Sequence, residues 1–266
     1  MTITLADPTF SAPHIAYDKL YPILIVFGVA LVGVLVEAFA PRHQRYLIQS
    51  VLALGGLVAA FVGVVLVAGN LTTHNKGTSR GSLEAMGAIA VDGPSLFIWG
   101  TLLVFSIISV MLFAERRLEG GVTAFSGQAA ALPGTEAERE ASAQGIEHTE
   151  VFPIVMFAVG GMMLFPAAND LLTMFVALEV FSLPLYLLCG LARRRRLISQ
   201  EAAMKYFLLG AFSSAFFLYG IALLYGYAGS FTLADIDKAV SFQSGNSGLL
   251  LTGMALVAVG LLFKVS

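Results

Sequence analysis

Seven runs of apolar sequence, each close to the length that crosses a lipid bilayer, leave this chain few folds to adopt. They fall at about 20–39, 46–69, 94–114, 151–168, 170–192, 203–228 and 247–266. A bilayer core takes roughly 20 residues of α-helix. Inside it every backbone N–H and C=O must be satisfied by the chain itself, which a helix does and an open strand does not. Of the 266 residues, 58% are hydrophobic and only 12% charged, whereas a soluble domain carries about 25% charged residues. The predicted fold class is an all-α polytopic membrane protein. The opening "MTITLADPTFSAPH" lacks the basic n-region of a signal peptide, so the first apolar helix is expected to remain in the mature chain.

The connections divide the sequence. The fourth and fifth runs are separated only by "AND", Ala168 to Asp170, where Asn169 and Asp170 are expected to act as C-cap and N-cap. Residues 70–93 are rich in Gly, Ser and Thr. Residues 115–150 include "GQAAALPGTEAEREASAQG", without apolar periodicity, and read as a flexible cytoplasmic insertion. The expected organisation is a three-helix membrane segment at 1–114, the insertion at 115–150, and the remaining helices at 151–266. The last run closes on "GLLFKVS" with no C-cap, aromatic belt or polar tail, and so reads as part of something longer.

Orientation follows from the basic loop residues. Connections after the first, third and fifth runs hold Arg42, Arg45, Arg116, Arg117, Arg139 and Arg193 to Arg196, nine in all, against Lys19, Lys76, Arg80 and Lys238 on the other side. The N-terminus is therefore expected outside and the "RRRR" loop in the cytoplasm. That loop could instead recognise nucleic acid or anionic lipid, but its place directly after a spanning helix favours the topological role, and no nucleic-acid partner is expected.

Three ionisable residues sit within or against the spans: Glu179, Lys205 and Lys264. Glu179 lies nine residues past Asp170, about 14 Å along a helix and near the bilayer midplane. Lys264 lies 17 residues past Ser247, or about 25 Å along a regular helix. Lys205 opens its run and could snorkel to the interface. Each charge at depth costs about 2.5–3.5 kcal/mol on insertion scales, so such residues are functional by default and offset one another only by pairing inside the bundle. A buried ion pair that fixes helix register is the structural alternative. Two unit charges about 7 Å apart interact by roughly 2.4 kcal/mol at an effective dielectric of about 20. Withdrawing or protonating a glutamate therefore frees a buried lysine to release its proton, which is the physics of a relay. Arginine cannot serve, because it does not deprotonate in proteins.

Pro184 follows Glu179 by five residues and frees the carbonyl of Val180, a loosened turn of the kind that lines polar paths in membranes. Asn169, Ser182, Ser213, Ser214 and Tyr219 could hydrate such a path, though helix-packing hydrogen bonds are an equal reading for the serines. Glu37, near the inner end of the first run, reads as a solvated interface charge. Cys189 is the one cysteine, which excludes an internal disulfide and a multi-cysteine metal or iron–sulfur site. His14, His43, His74 and His148 fall in loops or the N-terminal tail without ligand spacing, and no metal site is expected. Walker A, GxGxxG and CxxC patterns are absent. The "NLT" at Asn70 matches a glycosylation sequon only weakly.

The stretches "PAANDLLTMFVALEVFSLPLYLL" (166–188), "EAAMKYFLLGAFSSAFFLYGIALLYG" (201–226) and "GLLFKVS" (260–266) resemble subunit N of NADH:quinone oxidoreductase, respiratory complex I. This is an antiporter-like family related to the large subunits of cation/proton antiporters. The resemblance is specific over 151–266 and extends to 1–114 in hydropathy only. It implies an antiporter-like fold of about 14 helices built around two inverted repeats, of which this chain holds about seven and stops within the seventh. It further implies that Glu179 is the family's glutamate on the fifth helix and Lys264 its ion-pair partner on the seventh. Lys205 is then the lysine opening the sixth. The implied work is proton translocation with no redox cofactor in this chain. NADH, FMN, iron–sulfur clusters and quinone would be handled by other subunits. Expected partners are the antiporter-like neighbour M, the small subunits K, J and A, and the lipid bilayer of the bacterial inner membrane. A cation/proton antiporter subunit and a purely structural scaffold are the alternatives.

Overall fold

A computed structural model describes residues 15–74, 81–115, 135–143, 148–192, 196–242 and 246–265. The apolar runs form α1 (Tyr17–Phe39), α2 (Arg42–His74), α3 (Gly93–Phe113), α5 (Val151–Ala167), α6 (Leu171–Leu191), α7 (Arg196–Ala228) and α9 (Ser247–Val265). Six of these are long and apolar enough to cross a membrane, and α5 is apolar but shorter, at 17 residues. At 1.5 Å per residue α5 still reaches about 25 Å. The chain is thus an all-α membrane protein, with apolar helices where the seven runs placed them.

Packing joins the helices in two clusters. In the larger, Val26 of α1, Leu57 of α2, Trp99 and Leu103 of α3, and Met156 and Met163 of α5 are almost wholly buried. The Trp99 indole N–H donates to the Met163 carbonyl at 2.7 Å, so the buried ring carries no unpaired donor. The smaller cluster joins Leu171 of α6 to Phe217, Ile221 and Leu224 of α7, with Val257 and Leu261 of α9 against it. Lipid tails are as apolar as leucine, so close approach through small residues and dispersion holds such helices together. At Gly161 of α5 an added Cβ would lie 2.6 Å from the backbone nitrogen of Phe181 on α6. At Gly220 of α7 it would lie 2.8 Å from the Gly253 carbonyl of α9. α7 and α9 therefore touch backbone to backbone, which fixes where Lys264 hangs.

The connections hold more structure than their composition foretold. Within 70–93 lies an antiparallel hairpin, β1 (Gly81–Glu84) and β2 (Ile89–Asp92), in register from Gly81 opposite Asp92 to Glu84 opposite Ile89. Its apex is left-handed at Ala85 (φ 50°), Met86 (φ 60°) and Gly87 (φ 88°). Lys19 of α1 pins the hairpin through Glu84 at 2.7 Å. Asp92 then caps α3 by accepting from the Ser95 N–H at 2.9 Å. The insertion, read as flexible and without apolar periodicity, contains the short helix α4 (Glu136–Ala143); its Glu, Ala and Arg residues are strong helix formers. A further amphipathic helix, α8 (Leu233–Ser241), lies between α7 and α9.

The "AND" turn is tied on both sides. Asp170 caps α6 as expected, accepting from the Thr173 N–H and hydroxyl, both at 2.7 Å. Asn169 is not a C-cap, because Ala168 holds that position in extended backbone. Instead the Asn169 side chain donates to the Gly87 carbonyl at 2.8 Å, and its own N–H donates to Ala88 at 2.8 Å. Its carbonyl accepts from Leu233 of α8 at 3.3 Å. One residue thus joins the hairpin apex, the α5–α6 turn and α8 on one face of the bundle.

Candidate functional site

Glu179, Ser182 and Tyr186 follow one another at i, i+3 and i+7 on α6, so they share one face of the helix. Lys264 reaches that face from the last turn of α9. Its Nζ donates to the Ser182 Oγ at 2.9 Å and to the Tyr186 hydroxyl at 2.8 Å, and stands 5.3 Å from the centre of the Tyr186 ring. Ser182 directs its own hydrogen to the Leu178 carbonyl at 2.5 Å, which leaves a lone pair for the amine. The Tyr186 ring is held edge-on by Tyr206 and Phe207 of α7, with centroids at 4.5 and 5.8 Å.

Glu179 and Lys264 are neighbours without being a contact pair. No ion pair within 4.0 Å joins them, and the Glu179 Oε1 is buried with no hydrogen-bond partner. The direct ion pair implied by family resemblance is thus absent here, because two hydroxyls a turn further along α6 hold the amine. Ser182 lies 12 residues past Asp170, about 18 Å along α6. That places the amine nearer the bilayer midplane than the 25 Å counted along its own helix.

The remaining residues singled out in the sequence fall elsewhere. Lys205 is largely exposed on α7, where its amine pairs with Glu201 at 2.5 Å, one turn earlier on the same helix. Ser213 donates to the Gly260 carbonyl at 3.1 Å, a bond between α7 and α9. The Ser214 Oγ is buried without a partner. Pro184 sits inside α6, between Ser182 and Tyr186. Asn169 belongs to the tied turn described above, and Tyr219 is 61% exposed.

A second polar cluster escaped the sequence reading. Glu37 is no solvated charge: its side chain is 15% exposed and accepts from Arg45 at 2.7 Å, Thr149 at 2.6 Å and Gln49 at 3.2 Å. Gln49, itself buried, also donates to the Gly33 carbonyl at 2.8 Å. Beside this knot His148 donates to Glu150 at 3.0 Å, which holds that carboxyl below the usual carboxylate range. Thr149 is 112 positions from Glu37 in the chain, so nothing local pointed to the contact.

Residues 168–266 match a family model described as "NADH:quinone oxidoreductase/Mrp antiporter, TM". The chain is 66% identical, over 96% of its length, to the NADH-quinone oxidoreductase subunit N of a Nocardioides species, and covers 48% of that protein. In fold it is similar to a chain of respiratory complex I from Thermus thermophilus, with a TM-score of 0.64 and 30% identity over 91% of this chain and 43% of the other. A chain of an archaeal membrane-bound sulfane sulfur reductase shares the fold at 16% identity, with a TM-score of 0.64 over 92% of this chain and 43% of that one. The chain spans about half the length of the relatives it matches. Identity at this level along almost the whole of this chain, together with the shared fold, makes it similar to subunit N of NADH-quinone oxidoreductase, in an antiporter-like fold.

Proposed function

We propose that this chain is part of the membrane subunit N of a proton-pumping NADH:quinone oxidoreductase, and that Lys264 carries a proton under the electrostatic control of Glu179. The observation that carries the reading is a half-buried amine held by two neutral hydroxyls, with an unpartnered carboxylate one helical turn away. In an apolar bundle a carboxylate's charge decides whether such an amine keeps its proton. The Glu179 side chain is thus the switch and Lys264 the carrier. Lys205 helps at the cytoplasmic mouth, where its exposed stretch of α7 also carries Glu201. Ser213, Ser214 and the loosened turn at Pro184 border the route between them, and Asn169 anchors its outer end.

The chemistry of the electron-transfer groups, NADH, FMN, iron–sulfur clusters and quinone, belongs in this reading to other subunits of a translocase-class enzyme. Partners are the antiporter-like neighbour M and the small subunits K, J and A. The bundle sits in the bacterial inner membrane with its N-terminus outside, the orientation that places the arginine-rich loops in the cytoplasm. The organisation is a three-helix segment to residue 114, the insertion to 150, and the start of the translocating repeat beyond.

The test uses the full-length protein in its assembled complex in sealed membranes. NADH-driven proton uptake and NADH oxidation are recorded for Glu179→Gln and, separately, Lys264→Ala. Loss of pumping and coupled turnover with assembly intact supports the reading. Sodium exchange that runs without NADH would favour a cation/proton antiporter instead. Wild-type rates after both residues are replaced by apolar ones would leave only a scaffold, since buried pairs can be neutral to swap.

A further inference from the structure

Resting on the proton-transfer reading above, we propose that Ser182 and Tyr186 form a second seat for the Lys264 amine, and that Tyr186 is a positioning residue that holds the lysine away from Glu179 between transfers. Four observations converge on it. The amine's two hydrogen bonds in this structure go to these hydroxyls, at 2.9 and 2.8 Å, while Glu179 is unpaired at Oε1. Ser182 cannot rotate its hydrogen towards the amine without giving up the Leu178 carbonyl, so it is committed as an acceptor. The Tyr186 ring is wedged between Tyr206 and Phe207, so the phenol has little freedom to turn away. Finally, the phenol lies over Gly210 of α7, where an added Cβ would fall 2.0 Å from the hydroxyl oxygen. Glycine at 210 is what leaves room for the phenol.

The spacing makes the two seats exchangeable. Residues three apart on a helix have Cβ atoms about 5–6 Å from each other, so Glu179 lies one short step from Ser182. A lysine has four rotatable carbons and can cross that distance without any movement of α6 or α9. On the hydroxyls the amine leaves the carboxylate bare and free to act elsewhere. On Glu179 it is ion-paired. The seat therefore gives the lysine two defined positions in place of a continuum.

The experiment again uses the full-length protein in the assembled complex, in sealed membranes, with Tyr186→Phe, Ser182→Ala and Ser182→Thr. Phenylalanine keeps the ring and its aromatic contacts and removes only the acceptor. The expected result is normal assembly and an unchanged KM for quinone. The kcat of coupled turnover should fall about tenfold in Tyr186→Phe and in Ser182→Ala, the loss typical of one hydrogen bond to a charged group. Ser182→Thr, which keeps the hydroxyl, should retain the rate. Wild-type kcat in Tyr186→Phe overturns the seat. So does Ser182→Thr faring worse than Ser182→Ala, the order that side-chain volume alone dictates. If Lys264→Ala stops pumping while Tyr186→Phe does not, the seat fails and the relay stands. If Lys264→Ala itself pumps normally, the relay fails and takes the seat with it.

Discussion

Gly220→Ala tests the close approach that places Lys264. A Cβ at this position would lie 2.8 Å from the Gly253 carbonyl oxygen and 2.8 Å from the Val257 nitrogen. Both are backbone atoms of α9, so no side-chain rotation relieves the overlap. Ordinary contact begins at 3.4 Å, so restoring it takes a separation of 0.6 Å between α7 and α9 (3.4 − 2.8). Overpacking of this kind costs about 1–3 kcal/mol. Glycine to alanine within a helix gains about 1 kcal/mol from propensity, which obscures the steric cost. Gly226, six residues on in the same helix, supplies the control: its added Cβ meets nothing within 4 Å. Subtracting the Gly226→Ala result from the Gly220→Ala result cancels the propensity gain and leaves the overlap, about 1–3 kcal/mol. The assay is loss of helical circular dichroism on denaturant titration in detergent micelles. Because α9 also moves the Lys264 amine off bonds of 2.8 and 2.9 Å, coupled turnover in the full-length complex should fall as well. Equal midpoints for the two variants would refute the backbone contact between α7 and α9.

Other consequences are as specific. Glu37→Ala removes the acceptor shared by Arg45, Gln49 and Thr149 and should cost about 3 kcal/mol in the same denaturant titration, with Glu37→Gln milder. Met86→Gly should stabilise by about 1 kcal/mol, because Met86 is 83% exposed and held at a φ of 60° that suits glycine. Asp235 on α8 accepts from the Thr232 hydroxyl, Lys238 and the Ser230 hydroxyl, which hold its carboxyl below the ordinary value of 3.8. A depressed folded value contributes stability above the unfolded one and loses it as pH falls through the folded one. The midpoint of thermal unfolding should therefore fall on acidification below 3.8, and Asp235→Asn should flatten that dependence.

The helices were legible because a bilayer imposes one rule on every segment, and length with apolarity satisfies it. The short elements obey no such rule. Strand β2 pairs with β1, and an isolated bridge at Ile89 reaches Ala168 of the α5–α6 turn. Nothing within "GSLEAMGAIAVD" announces that turn as its partner. Of the site, Glu179 and Lys264 stood out because charge at depth is costly, whatever surrounds it. Ser182 drew notice only as one of several hydroxyls that could hydrate a path, with packing an equal reading, and Tyr186 drew none, since hydroxyls in a membrane helix serve packing as readily as function. The stripe Glu179, Ser182, Tyr186 was present in the spacing, but which face of α6 met α9 depended on Gly220, Gly253 and Gly260, and thus on packing far from the stripe. Glu37 was misread because its charge sits near a helix end, where solvation is the common outcome. Arg45 and Gln49 come from the next helix and Thr149 from the far end of the insertion, and together they enclose it.

The measurement that bears most directly on Lys264 as a proton carrier is NADH-driven proton uptake by sealed membranes holding the full-length Lys264→Arg variant in its assembled complex. Arginine keeps the positive charge and the hydrogen-bond donors for Ser182, Tyr186 and Glu179, but it does not release a proton. Lys264→Arg is predicted to assemble and to pump no better than Lys264→Ala. Proton uptake near the wild-type level in Lys264→Arg would mean that position 264 needs only a fixed charge, and would contradict the proposal that the proton passes through it.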